Sequence, residues 1–168
     1  MILKQSAERQ RYEALKAGES FIFETVFSTE SKLDFIKEAK SKGYHVTVIY
    51  ITTSDPQINI ERAAKRQASG GHGVPTDKLI ARWHRSMDLM FDVLKEADEA
   101  RVYDNSKNHP VLVFAKLSYG TAFLLNRERR APWVKTYITQ KAEQNGILLS
   151  DLSYSDAQKL LASDTACE

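Results

Sequence analysis

Cysteine is almost missing from this chain. The single one, Cys167, sits beside the C-terminal residue, so no disulfide can close within the sequence. A reducing, cytoplasmic setting is expected. Long apolar runs are missing too, and none approaches the length of a membrane span. Met1–Ser6 are not expected to form a secretory leader, because charge interrupts any apolar core. There is no internal repeat and no low-complexity tract. A surplus of one charge is also lacking. Lys and Arg number 24 against 22 Asp and Glu, a net charge of +2, which gives no electrostatic case for nucleic acid. The short basic cluster Arg127–Arg130 beside Trp133 reads more readily as a solvated turn than as a nucleic-acid patch. What remains is 168 residues with 42% hydrophobic and 27% charged side chains. That suits a soluble globular fold with a real core.

Taken in order, residues 4–17 are mostly polar, with Ala7, Leu15 and Ala17 among the few apolar points, and read as a mostly exposed helix ended by Gly18. Ser20–Phe27 is aromatic and β-branched, the pattern of a strand buried on both faces. Glu24 interrupts it. A buried carboxylate there needs an ion-pair partner, a metal or a shifted pKa. Ser28-Thr29-Glu30 offers a helix start, Leu33, Ile36 and Ala39 its inward stripe, and Gly43 its stop. His45–Thr52 is the next strand. Strand, helix and strand in succession predict a βαβ unit and hence a parallel sheet. Ala100–Asn105 and Val111–Ala115 supply two more strands, and Tyr119-Gly120 a turn into Thr121–Leu125. Helices are expected over Trp133–Gln144 and Ser155–Ala162. The chain divides into a core, residues 1–126, and a helical extension, residues 127–168.

The stretch between residues 60 and 105 carries the chemistry. Arg62 and Arg66 lie four apart and share a helix face. A turn with three glycines follows, Gly70-Gly71-His72-Gly73-Val74-Pro75. Lys78, Arg82 and Arg85 then recur at spacings of four and three. Two basic faces joined by a glycine turn suit a lid over residues 60–86 that closes on an anion. Guanidinium groups grip phosphate with two parallel bonds. The plainer alternative is a pair of solvated helix faces around an ordinary loop. Leu79, Ile80, Trp83, Met87, Met90, Phe91 and Leu94 at helical spacing read as core.

The succession FIFETVFS, GYHVTVIYI, ERAAKRQASGGHGVP, IARWHRS and RVYDNS resembles the zeta-toxin type of P-loop kinase, in the branch described as predicted ABC-type ATPases. The resemblance covers roughly residues 8 to 117. It implies a three-layer α/β fold, a parallel sheet with helices on both faces. It implies ATP and Mg²⁺ as cofactors and phosphoryl transfer to a small hydroxyl substrate, in the best-known cases a UDP-N-acetyl amino sugar. It places Glu24 and Thr25 in the acceptor and magnesium region, and Arg62 and Arg66 on the lid beside the phosphates. Arg82 falls near the phosphates and Asn105 near the nucleotide base. Such chemistry is mainly positioning and charge neutralisation.

The sequence departs from that family at its start. No Gly-Lys-Ser or Gly-Lys-Thr occurs anywhere in it, so the phosphate loop and its preceding strand are absent. The acidic base after the family's second strand is missing as well. Two functions stay open: part of a kinase completed by a phosphate-loop segment, or a catalytically inactive module that binds a protein or a nucleotide. Partners would be ATP, a hydroxyl-bearing small molecule, and an antitoxin or a complementing chain. In the complete family the missing strand lies between Phe21–Phe27 and Val46–Thr52. Three arrangements are open: the two strands pair directly, a segment of this chain such as its C-terminal tail fills the slot, or a strand from another polypeptide inserts there, the last being the one expected.

Overall fold

The computed structural model describes residues 2–117, 123–126, 131–151, 153 and 155. Helices α1 (Ile2–Ala17) and α2 (Glu30–Ser41) precede the first strand, β1 (Thr47–Thr52). α3 (Pro56–Ala68) and α4 (Thr76–Glu96) then lead to β2 (Glu99–Asp104) and β3 (Val111–Lys116). β4 (Phe123–Leu125) follows. A helical stretch, α5, is assembled from Pro132–Val134, a π turn at Lys135–Thr139 and Gln140–Gln144. β5 (Leu149–Asp151) completes the sheet, whose order is β1-β2-β3-β4-β5. The α/β class expected from the sequence stands.

The sheet is mixed rather than wholly parallel. β1 and β2 run parallel, with Thr47 opposite Glu99 and Thr52 opposite Asp104. Residues 105–110 between β2 and β3 are too few for a crossover helix, so that pair is antiparallel, as is β3 with β4. β4 and β5 are again parallel. β5 has no counterpart among the expected strands; it follows the turn at Asn145-Gly146. The turn expected at Tyr119-Gly120 lies outside the described residues, as does the helix expected at Ser155–Ala162 except for Ser155.

One core holds the sheet and helices together. Ile36 of α2, Met87, Met90, Val93 and Leu94 of α4, and Val134 and Ile138 of α5 share a buried cluster with Val48, Tyr50, Val102 and Phe114. Met87, Met90, Phe91 and Leu94 of the α4 stripe are buried as periodicity places them, whereas Ile80 is exposed and Leu79 and Trp83 are half-buried. Trp133, from the 127–168 extension, belongs to the same cluster. On the other side of β1, Ile49 and Ile51 are 54% and 60% exposed, and among the described residues no helix covers them. The expected helices on both faces are thus seen on one face of β1.

The largest correction falls on Phe21–Phe27. These residues form no strand, and the βαβ unit expected from them is not made. Their exposure alternates: Phe21, Phe23 and Phe27 pack inward, while Ile22 is 99% and Val26 56% exposed. Phe21 and Phe23 rest on Leu15, Phe35 and Ala39 of α1 and α2, and Arg11 lies over the Phe23 ring at 4.5 Å. The run is one-sided, and among the described residues no backbone hydrogen bond joins it to β1, which forms one edge of the sheet. A strand is a pairing arrangement, so apolar sequence alone does not make one. Glu24, on the outward side of this run, is solvent-exposed rather than buried.

The start of β1 is fastened by Asp98. Its carboxylate accepts Lys40 Nζ at 2.8 Å and the Val46 amide at 2.9 Å. Partial burial pushes the Asp98 pKa up. The Lys40 and Val46 hydrogen bonds, with the charges of Lys40 and His45, outweigh that and hold it below the ordinary aspartate range. The folded state thus favours the ionised form. Its stabilisation is complete above the ordinary aspartate pKa and fades as pH falls through the lowered value. Asp98→Asn should cost about 1 kcal/mol near neutral pH. Melting curves of both proteins, followed into acid, should show that difference shrinking; a constant difference would contradict the assignment.

Candidate functional site

The basic helices meet over the carboxyl ends of the parallel pair β1 and β2, the usual place for a ligand in such sheets. Asp55 caps α3: its side chain accepts the Gln57 amide at 2.7 Å, and Pro56 occupies the first turn. α3 then runs to the glycine turn. Gly70 has φ 89°, a left-handed conformation that glycine alone takes freely. At Gly71 a Cβ would stand 2.9 Å from both the backbone oxygen and Cγ of Arg66, so any side chain there would displace that arginine. α4 returns along the cleft that the turn leaves open.

The cleft encloses about 370 Å³. Arg62 and Arg66 line it from α3, Arg82 from α4, and Asn105 from the end of β2. Its apolar wall is Val26, Ile51, Leu79 and Trp83, with Thr52, Thr53 and Ser86 behind. Among the described residues no Asp or Glu lines it. None of the three arginines makes an ion pair among the described residues. Arg62 Nη2 reaches the Lys107 carbonyl at 3.5 Å, a weak bond that leaves its charge uncompensated. Three exposed guanidiniums thus face one cavity with no counter-charge among the described residues.

The floor is firmly held. Trp83 Nε1 donates to the Thr53 carbonyl at 3.1 Å, and the Asn105 amide to the Thr52 carbonyl at 2.7 Å. Asp104 accepts the Ser106 amide at 2.8 Å, the Ser106 hydroxyl, and Trp133 Nε1 at 3.1 Å. Ser106 Oγ in turn accepts the Ser54 amide at 2.7 Å. These bonds fix Asn105 and the β1–α3 turn against each other. Beneath, the Tyr50 hydroxyl donates to the Ser86 carbonyl at 2.8 Å and is paired with the Ser86 hydroxyl. Burial pushes the Tyr50 pKa up to about 12, the Ser86 bond opposing it, so the phenol stays neutral.

The structure brings four of the expected site residues together, namely Arg62, Arg66, Arg82 and Asn105. Glu24 and Thr25 do not line the cleft, although their neighbour Val26 does. Lys78 does not line it either. Arg85 instead donates to the Ser28 carbonyl at 3.2 Å, tying α4 to the segment before α2. The cleft face of α4 is Leu79, Arg82, Trp83 and Ser86, and that of α3 is Asn59, Arg62, Ala63 and Arg66. Both follow the i, i+3, i+4, i+7 rule. Asn59, Trp83 and Ser86 are therefore within reach of the arginines by spacing alone.

The resemblance implies a divalent cation beside Glu24 and Thr25. The cleft offers it no carboxylate, and no cluster of three His, Cys, Asp or Glu occurs among the described residues. The residues present do not fit Mg²⁺ there. They do fit the phosphates of a nucleotide. No described helix is long and apolar enough to cross a membrane.

An α/β sheet bearing an arginine-lined cleft at the ends of its parallel strands is a P-loop-kinase-like arrangement. The family model described as Zeta toxin matches residues 3–113, and the chain belongs to the zeta toxin family. It is 33% identical over 70 residues to an uncharacterized protein of Haemophilus influenzae. That match covers 42% of this chain and 50% of the relative, so the chain spans about half the length of the curated relative it matches. No solved structure matches it.

Proposed function

We propose that this chain is the phosphate-gripping lid portion of an ATP-dependent phosphotransferase of the zeta-toxin type. The observation that carries the reading is the convergence of Arg62, Arg66, Arg82 and Asn105 on one cleft that no carboxylate lines among the described residues. The arginines take the phosphates and Asn105 the nucleoside end. The acceptor is a small hydroxyl-bearing molecule, approaching from the side of Glu24, which lies two residues from the cleft-lining Val26. Transfer requires a segment with a Gly-Lys-Ser/Thr loop, whose amides and lysine cradle the phosphates. The open edge of β1 beside the one-sided run 20–27 supports a complementing strand at that place. Without such a segment the chain is a nucleotide-binding module.

Titration calorimetry with ATP tests the assignment. Arg62→Ala, Arg66→Ala and Arg82→Ala should each weaken binding by about tenfold, the loss of one charge-assisted contact. Asn105→Ala should weaken ATP but leave inorganic tripolyphosphate unchanged. Three arginine variants that bind like the native chain would remove the reading.

A further inference from the structure

The charges at the cleft run against the way phosphoryl ligands are usually held. Magnesium demands an octahedral oxygen shell and is normally anchored by one or two carboxylates beside the ligand's own phosphates. Of the carboxylates near the cleft residues in sequence, Glu24 and Glu61 do not line the cleft, and Asp55 and Asp104 accept hydrogen bonds. Asp55 receives the Gln57 amide at 2.7 Å, and Asp104 is bonded on both oxygens, by Ser106 and by Trp133. The hydroxyls are engaged too: Thr53 Oγ1 donates to the Asp55 carbonyl at 3.1 Å, and Ser86 is paired with Tyr50. What faces the cavity instead is the positive charge of Arg62, Arg66 and Arg82.

We propose that this cleft binds its phosphate ligand as the metal-free anion, the three guanidiniums supplying the charge that a divalent cation would otherwise bring. The inference rests on the phosphate reading above. A cation chelated by the phosphates would occupy oxygens onto which guanidiniums fork, and would place more positive charge beside three existing ones. Magnesium and the lid therefore compete for the same oxygens.

The full chain should be titrated with ATP and, separately, with tripolyphosphate, each in EDTA and in excess magnesium chloride at matched ionic strength. Both probes should bind in EDTA, and magnesium should weaken each by about tenfold, since it cancels anionic charge next to the arginines. Arg82 is exposed, and Arg82→Ala should fold, bind more weakly in EDTA and show a smaller magnesium effect. Binding that appears only with magnesium, or is tightened by it, overturns the inference. Tripolyphosphate binding in EDTA with no ATP binding sustains it while removing the nucleotide reading. No binding of either probe in either buffer removes both.

Discussion

Incubated with ATP and magnesium, the purified 168-residue chain should turn over no measurable nucleotide. The sequence contains no Gly-Lys-Ser or Gly-Lys-Thr, and among the described residues the cleft supplies arginines but no general base. In phosphoryl transfer the loop amides and lysine stabilise charge on the transferred group, and a positioned acid or base orients the nucleophile. Each such element is worth several kcal/mol of barrier, so losing two lowers the rate by on the order of 10⁴-fold or more. Adding a polypeptide that carries a β-strand followed by a Gly-Lys-Ser/Thr loop should restore turnover. Arg62→Ala and Arg66→Ala should abolish that restored activity. Turnover by the chain alone, lost in Glu24→Gln, would show that the site is complete within these residues.

Phe114→Ala should destabilise the fold more than Asp98→Asn or any of the cleft substitutions. Phe114 is fully buried in β3, opposite Val102 on one side and Leu125 on the other. It shares its cluster with Met87, Met90 and Leu94, so truncation leaves a cavity at the join of sheet and helices. Such truncations cost about 3–5 kcal/mol. For a chain of this size that lowers the melting temperature by roughly 10 °C. Denaturant titration should show a reduced midpoint at an unchanged slope, because the same surface is exposed on unfolding. A loss below about 1 kcal/mol would mean that β3 is not at the centre of the core.

The sequence is most legible where the signal is local. Asp55-Pro56 marks the start of α3, the stripe through Met87, Met90 and Leu94 marks α4, and short runs with β-branched and aromatic residues mark β1 to β3. The arginine spacing on α3 also leads to the cleft, since Arg62 and Arg66 share a face whatever the tertiary context. Spacing is less reliable on α4: Lys78, Arg82 and Arg85 satisfy the same rule, yet of these Arg82 alone lines the cavity. The face is decided by Trp83 and Leu79, which line the cleft, and charge spacing does not register that. Phe21–Phe27 misleads for a different reason. Composition reports that aromatic residues need burial, and Phe21 and Phe23 find it on α1 and α2. Composition does not report whether another strand is alongside. The antiparallel turn from β2 to β3 is readable from the shortness of residues 105–110. β5, with two of its three residues exposed, has no apolar pattern to announce it.

That Arg62, Arg66 and Arg82 form one phosphate site is tested most directly by a crystal structure of the chain with tripolyphosphate. Phosphate oxygens should lie within hydrogen-bonding distance of all three guanidiniums, beside Asn105, in the cleft between α3 and α4. A polyphosphate bound elsewhere on the molecule, with the three guanidiniums turned to separate faces, would contradict it.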